Sequence, residues 1–178
     1  MHPNKLIVFA VFIFCTSFLN GQSEPKPFTI GQEYVVKSEV LGEDRPVLIY
    51  TPEGYEEGDK KYPVLYLLDG RGHFHHTSGT VNFLARNGRM PQMIVVGIPN
   101  TTDRTRDLTP KMTEESDQFS TAGGADNMLD FMEKELFPWV ESAYRTEPYK
   151  VLVGHSFGGL FAVHALINRP GVFNSYLA

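Results

Sequence analysis

The sequence predicts an α/β domain: a mainly parallel central sheet, flanking helices and an N-terminal β-hairpin. Three observations lead there. Val64-Leu65-Tyr66-Leu67-Leu68, Met93-Ile94-Val95-Val96-Gly97-Ile98 and Lys150-Val151-Leu152-Val153-Gly154 are short apolar runs without alternation. Such runs suit strands buried on both faces, as in a parallel sheet covered by helices. Stretches of helical periodicity lie between and after them, which is the alternation of an α/β domain. Finally, a Gly-x-Ser-x-Gly segment joins the third run directly to a helical stretch.

The chain of 178 residues has the length of one domain, since about 100–200 residues is the usual unit. A composition of 42% hydrophobic and 21% charged residues excludes a disordered tail or a fibrous rod. Lys plus Arg number 16 against 21 Asp plus Glu, a net charge of -5 with no long run of one sign. That balance offers no electrostatic footprint for phosphate backbones, so nucleic acid is not an expected partner. The single cysteine, Cys15, excludes a disulfide framework and a thiolate zinc site.

Taken in order, the elements begin after a targeting segment. Lys5 and the amino terminus are followed by an apolar run over 6–15, then by Thr16, Ser17, Asn20 and Gly21. This is the order of a secretory signal peptide over 1–21. The run is shorter than the about 20 residues that span a bilayer, so stable membrane insertion is not expected. The sequence therefore reads as an exported protein, periplasmic or secreted. Residues 22–33 form a polar, proline-bearing leader, and the folded domain is expected over 34–178. Tyr34-Val35-Val36 and Val47-Leu48-Ile49-Tyr50 make a hairpin around Gly42-Glu43-Asp44.

The first buried strand ends at Asp69-Gly70, where Asp69 reads as a turn residue. A short helix is expected over 81–86 and a long one over 126–144. In the long one Met128, Phe131, Met132, Leu136, Trp139, Val140 and Ala143 recur at three- and four-residue spacings. Phe131, Trp139 and Tyr144 accordingly read as core packing. Pro138 lacks a backbone donor, so a kink is expected near Lys134. A last helix over 160–167 is stopped by Asn168, Pro170 and Gly171, and Ser175-Tyr176-Leu177-Ala178 reads as the opening of another strand.

The chemistry is concentrated in Gly154-His155-Ser156-Phe157-Gly158-Gly159. A turn from strand to helix this tight forces the serine into a strained backbone and exposes its hydroxyl at the carboxyl end of the sheet. Gly154 and Gly158 keep neighbouring side chains from colliding. The helix N-terminus then points at the serine, where backbone N–H groups stabilise developing negative charge. His155 precedes the serine, and its side chain is expected on the opposite side of the turn.

Four segments occur in a characteristic order: Tyr66-Leu67-Leu68-Asp69-Gly70, Arg104-Thr105-Arg106-Asp107-Leu108-Thr109-Pro110, Glu135-Leu136-Phe137-Pro138-Trp139 and Gly154-His155-Ser156-Phe157-Gly158-Gly159-Leu160-Phe161. Together they resemble the putative esterase family of α/β-hydrolases that includes esterase D and enterochelin esterase. The resemblance runs from about Tyr34 to the last residue. It implies an α/β-hydrolase fold and serine-dependent hydrolysis of a small-molecule ester, with no cofactor. Mycolyltransferases of the same broader group extend the implied chemistry to acyl transfer. On this resemblance Ser156 matches the nucleophile, and the N–H groups of Phe157 and Arg71 match the oxyanion donors. Each such donor contributes about 3 kcal/mol of transition-state stabilisation. Arg71 stands where relatives carry an acidic residue, which implies a more positive entrance suited to an anionic group on the substrate.

A serine needs a histidine base oriented by a carboxylate, and in this fold both follow it in the chain. None of the 22 residues after Ser156 is Asp or Glu, and the only later histidine is His164, eight positions on and two helical turns away. The expectation is an N-terminal portion of an esterase, its sheet C-terminally incomplete, with acid and base beyond Ala178 and little activity of its own. Its rivals are a non-catalytic carbohydrate- or siderophore-binding homologue and an acyltransferase.

His73, His75 and His76 crowd the segment after Asp69-Gly70, read as a loop. Imidazoles bind zinc or nickel, but no fixed carboxylate partner is evident. No metal site is assigned, and the resemblance favours a polar lining of the substrate mouth, with a substitute base among them a remote alternative. Arg104, Arg106 and Asp107, also read as loop residues, either shape the pocket or form a surface ion-pair network.

Overall fold

Every residue of β3 (Tyr62–Leu68) and of β4 (Ile94–Ile98) is buried, as their unbroken apolar sequences require. The computed structural model describes residues 24–101, 103–113 and 119–178. The expected signal peptide over 1–21 lies outside the described residues. Around β3 and β4 stand β1 (Gln32–Ser38), β2 (Glu43–Tyr50), β5 (Thr146–Val153) and β6 (Ser175–Leu177). Among the described residues the sheet has six strands in the order β1-β2-β4-β3-β5-β6. β4, β3, β5 and β6 run parallel, with Leu67 beside both Gly97 and Val153. The β1–β2 hairpin is antiparallel, closed at Gly42 with φ 67°, and β2 joins the sheet antiparallel to β4.

Successive residues of β3 enter different cores, because strand side chains alternate between faces. Leu65 and Leu67 join Val95, Val151 and Val81 on one face; Tyr66 and Leu68 join Ile94, Val96 and Leu152 on the other. The first face is covered by α1 (Gly70–Arg86). The second is covered by α3 (Ala125–Phe131), a π turn over Met132–Leu136, α4 (Phe137–Ala143) and α5 (Phe157–Asn168). Phe131, Met132, Leu136, Val140, Phe161 and Ala165 are fully buried there. The kink expected near Lys134 takes the form of this π turn, in which the Phe137 N–H donates to the Met132 carbonyl. Pro138, which has no N–H, follows in the first turn of α4. Phe131 lies in the core as expected, and Trp139 and Tyr144 pack against it half-buried.

Several expectations are corrected. The segment holding His73, His75 and His76 is the first half of the 17-residue helix α1, which also absorbs the short helix expected over 81–86. Arg104, Arg106 and Asp107 lie on a short helix, α2 (Arg104–Leu108), whose N-terminus is capped when the Asp103 carboxylate accepts from the Arg106 N–H. β1 begins at Gln32, inside the expected leader, and α5 begins at Phe157 rather than at residue 160. No helix among the described residues is long and apolar enough to cross a membrane.

Candidate active site

The carboxyl ends of β3, β4 and β5 deliver three turns to one edge of the sheet. The turn after β5 carries Ser156, held at φ 58° and ψ −118°, a conformation that L residues rarely adopt. Its tightness is visible in Gly154: a Cβ there would lie 2.1 Å from the Gly158 carbonyl oxygen. Gly158 is packed less severely, since a Cβ would meet Asp69 Oδ2 at 3.2 Å and Leu68 Cβ at 3.3 Å. The Gly158 N–H donates to the His155 carbonyl at 2.9 Å, and the Leu160 N–H to the Ser156 carbonyl at 2.9 Å, so α5 starts at once. Ser156 is solvent-exposed and its side chain makes no capping bond to its own helix.

Phe157 and Arg71 are the first and second residues of α5 and α1. Amides in a first helical turn have no intrahelical acceptor, and the helix dipole adds partial positive charge there. Because β3 and β5 are neighbours, both helix N-termini open on the same edge.

Sequence reasoning missed the centre of the polar network, Asp69. It stands between β3 and α1 at φ 53° and ψ 37°. Its carboxylate accepts from Asn100 Nδ2 at 2.5 Å, and from Arg104 Nε at 2.5 Å and Nη2 at 2.9 Å. Burial works to raise its pKa, but the bonds from Arg104 and Asn100 and the charge on Arg104 outweigh it and hold the carboxyl below its ordinary value. Arg104 Nη2 also donates to the His155 carbonyl at 3.3 Å, and its guanidinium lies 5.1 Å from the centre of the Phe157 ring. The signal available in the sequence was the pair of segments Leu68-Asp69-Gly70 and Arg104-Thr105-Arg106-Asp107, without any hint that they meet.

Arg106 and Asp107 belong to a second network. Asp107 accepts from Arg106 Nε and from Arg45 Nη1, each at 2.7 Å, and Glu43 accepts from both arginines at 2.9 and 2.7 Å. Arg45 and Asp107 are each only 1% exposed, whereas Glu43 and Arg106 are part-exposed, so the network runs from a buried pair out to the surface. Arg45 is a residue that the sequence reading passed over.

The imidazoles of His73 and His76 lie edge to face 5.1 Å apart on α1, and His73 faces His155 at 6.0 Å. Among the described residues no group of three or more His, Cys, Asp or Glu is arranged to hold a metal ion. His75 is exposed on the same helix. The Arg71 guanidinium pairs with Glu33 at 2.5 Å, which balances the positive entrance that the sequence suggested. His164 faces away from the turn: its Nε2 lies 2.9 Å from Asp126 Oδ1 and its Nδ1 3.0 Å from Asn168. A cavity of about 870 Å³ opens at the opposite end of the sheet, beside Tyr34, Tyr50, Tyr55, Trp139 and Tyr144, and none of its walls belongs to the turn.

The fold is α/β-hydrolase-like, with a serine on the strand-to-helix turn beside two helix N-termini. Residues 38–178 match the family described as "Putative esterase", and the chain belongs to that family. It is 33% identical over 138 residues to the ferri-bacillibactin esterase BesA of Bacillus subtilis, covering 66% of this chain and 46% of that protein. It is 34% identical over 151 residues to the siderophore enterobactin esterase of Emericella nidulans, covering 69% of this chain and 48% of that one. Among solved structures, an IroE-like serine hydrolase from Shewanella oneidensis superposes with a TM-score of 0.77 at 44% identity, over 83% of this chain and 49% of that one. The chain spans about half the length of the curated relatives it matches.

Proposed function

We propose that the chain carries the nucleophile and oxyanion site of an exported serine esterase. The carrying observation is Ser156 itself: strained, exposed, uncapped, and set where the N-termini of α1 and α5 open. Ser156 Oγ attacks the ester carbonyl carbon while a histidine takes its proton. The carbonyl oxygen becomes an oxyanion and accepts hydrogen bonds from the Phe157 and Arg71 N–H groups. The tetrahedral intermediate collapses, the alcohol leaves with the proton from the histidine, and an acyl-serine remains. Water, deprotonated by the same histidine, then releases the carboxylate and restores Ser156.

The triad acid and histidine come from outside these 178 residues in this reading, since no Asp or Glu follows Ser156 and His164 is engaged with Asp126. Export is supported by the segment over 1–21, read from sequence alone. The relatives named as esterases of ferri-bacillibactin and of enterobactin support siderophore esters as the substrate class. His73, His75 and His76 then remain candidates for the outer substrate mouth, whereas the Arg106 guanidinium is held by Asp107 and Glu43. In the full-length protein, Ser156→Ala is expected to lower kcat on an aryl ester at least about 10³-fold. Undiminished turnover would remove the nucleophile assignment.

A further inference from the structure

We propose that Asp69 and Arg104 are positioning residues: a latch that fixes the two oxyanion donors, Arg71 and Phe157, relative to each other. The inference rests on the serine-esterase reading above. Among the described residues only two non-glycines have a positive φ, Asp69 at 53° and Ser156 at 58°. Each stands directly before the helix that carries one donor. Such conformations persist only where the surroundings over-determine them, and here one guanidinium supplies that constraint for both.

An aspartate before a helix ordinarily caps that helix, yet the Asp69 side chain makes no cap bond to α1. It turns instead to the loop after β4, where Asn100 and Arg104 hold it. Arg104 Nη2 is shared between Asp69 Oδ2 and the His155 carbonyl, and the guanidinium lies over the Phe157 ring. It therefore touches the residues on both sides of Ser156 and the residue that directly precedes α1. The arginine is itself fixed, because α2 is capped by Asp103 and anchored through Asp107 to the buried Arg45. Oxyanion donors act only within a narrow distance of the developing charge, so a latch of this kind acts on catalysis rather than on substrate binding.

The test compares the full-length protein with Arg104→Gln, Arg104→Lys and Asp69→Asn. Hydrolysis of p-nitrophenyl butyrate and amide hydrogen exchange are read in parallel. Arg104→Gln is expected to lower kcat about 100-fold with KM within about threefold, and Arg104→Lys to recover about tenfold of that loss. Exchange is expected to quicken over 69–73 and 154–158 and to stay slow in β3. Unchanged kcat, or unchanged exchange at both segments, overturns the latch. If the parent hydrolyses nothing, the esterase reading fails, and the exchange comparison still decides the latch. Should Arg104→Gln fail to fold, Asp69→Asn, which keeps the side-chain volume, is read in the same two ways.

Discussion

Gly154 and Gly158 touch through their backbones: any Cβ on Gly154 would lie 2.1 Å from the Gly158 carbonyl oxygen. The strand-to-helix reversal that exposes Ser156 thus depends on one missing methyl group. A carbonyl oxygen in the first turn of a helix has nowhere to retreat without unwinding that turn.

Gly154→Ala is therefore expected to destabilise the fold by about 1–3 kcal/mol and to abolish reaction at Ser156. Gly158→Ala, whose Cβ meets its neighbours no closer than 3.2 Å, is expected to be milder in stability. Denaturant titration of both variants checks the order.

Glu135 ties the hairpin to the helical layer. Its carboxylate accepts from the Ser38 hydroxyl at 2.5 Å and from the Glu39 and Val40 N–H groups at 2.9 and 3.1 Å. Glu135→Ala leaves those donors unpaired, and a loss of about 1–3 kcal/mol is expected. Thermal melting reads it, and equal melting of variant and parent would contradict the role.

Tyr66 presents the opposite case. Among the described residues its buried hydroxyl has no hydrogen-bond partner, and burial pushes its pKa up strongly. Tyr66→Phe removes an unsatisfied polar atom while keeping the ring against Phe137, so stability is expected to rise by about 1 kcal/mol. A lower melting midpoint would show that the hydroxyl has a partner.

Acid stability follows from Asp69 and Glu43, whose carboxyls are both held below their ordinary values. At each, burial works upward, while hydrogen bonds from arginines and other donors prevail. The unfolded chain therefore takes up protons first as pH falls. The stabilisation is complete above the unfolded carboxylate range, above about pH 5, and is lost as pH falls through it towards the lower folded values. Urea midpoints are expected to be flat between pH 5 and 7 and to decline below about pH 4. In Asp69→Asn the decline should be shallower; an unchanged slope would contradict the assignment.

The parts legible in the sequence were those with a local cause. The unbroken apolar runs of β3 and β4, the spacing of Met128, Phe131, Met132 and Leu136, and the Gly154-to-Gly158 turn each declare themselves within a few residues. α1 does not: Gly70, Gly72 and Gly79 are poor helix formers, and its only buried residues are Gly70, Ser78 and Val81, so no apolar stripe marks it. It forms because β4 and β3 need cover on that face. Asp69 resembled an ordinary turn residue because its partner Arg104 lies 35 positions away. Arg71 looked like free positive charge because Glu33 lies 38 positions before it. Such pairings exist only once the sheet is assembled.

The central claim is that Ser156 is the nucleophile, and covalent labelling tests it most directly. The full-length protein is incubated with a p-nitrophenyl alkylphosphonate and its peptides are weighed by mass spectrometry. The predicted result is one phosphonyl adduct on Ser156 in the parent and none in Ser156→Ala. A parent protein that binds ester ligands but carries no adduct, or carries it on another residue, would contradict the account.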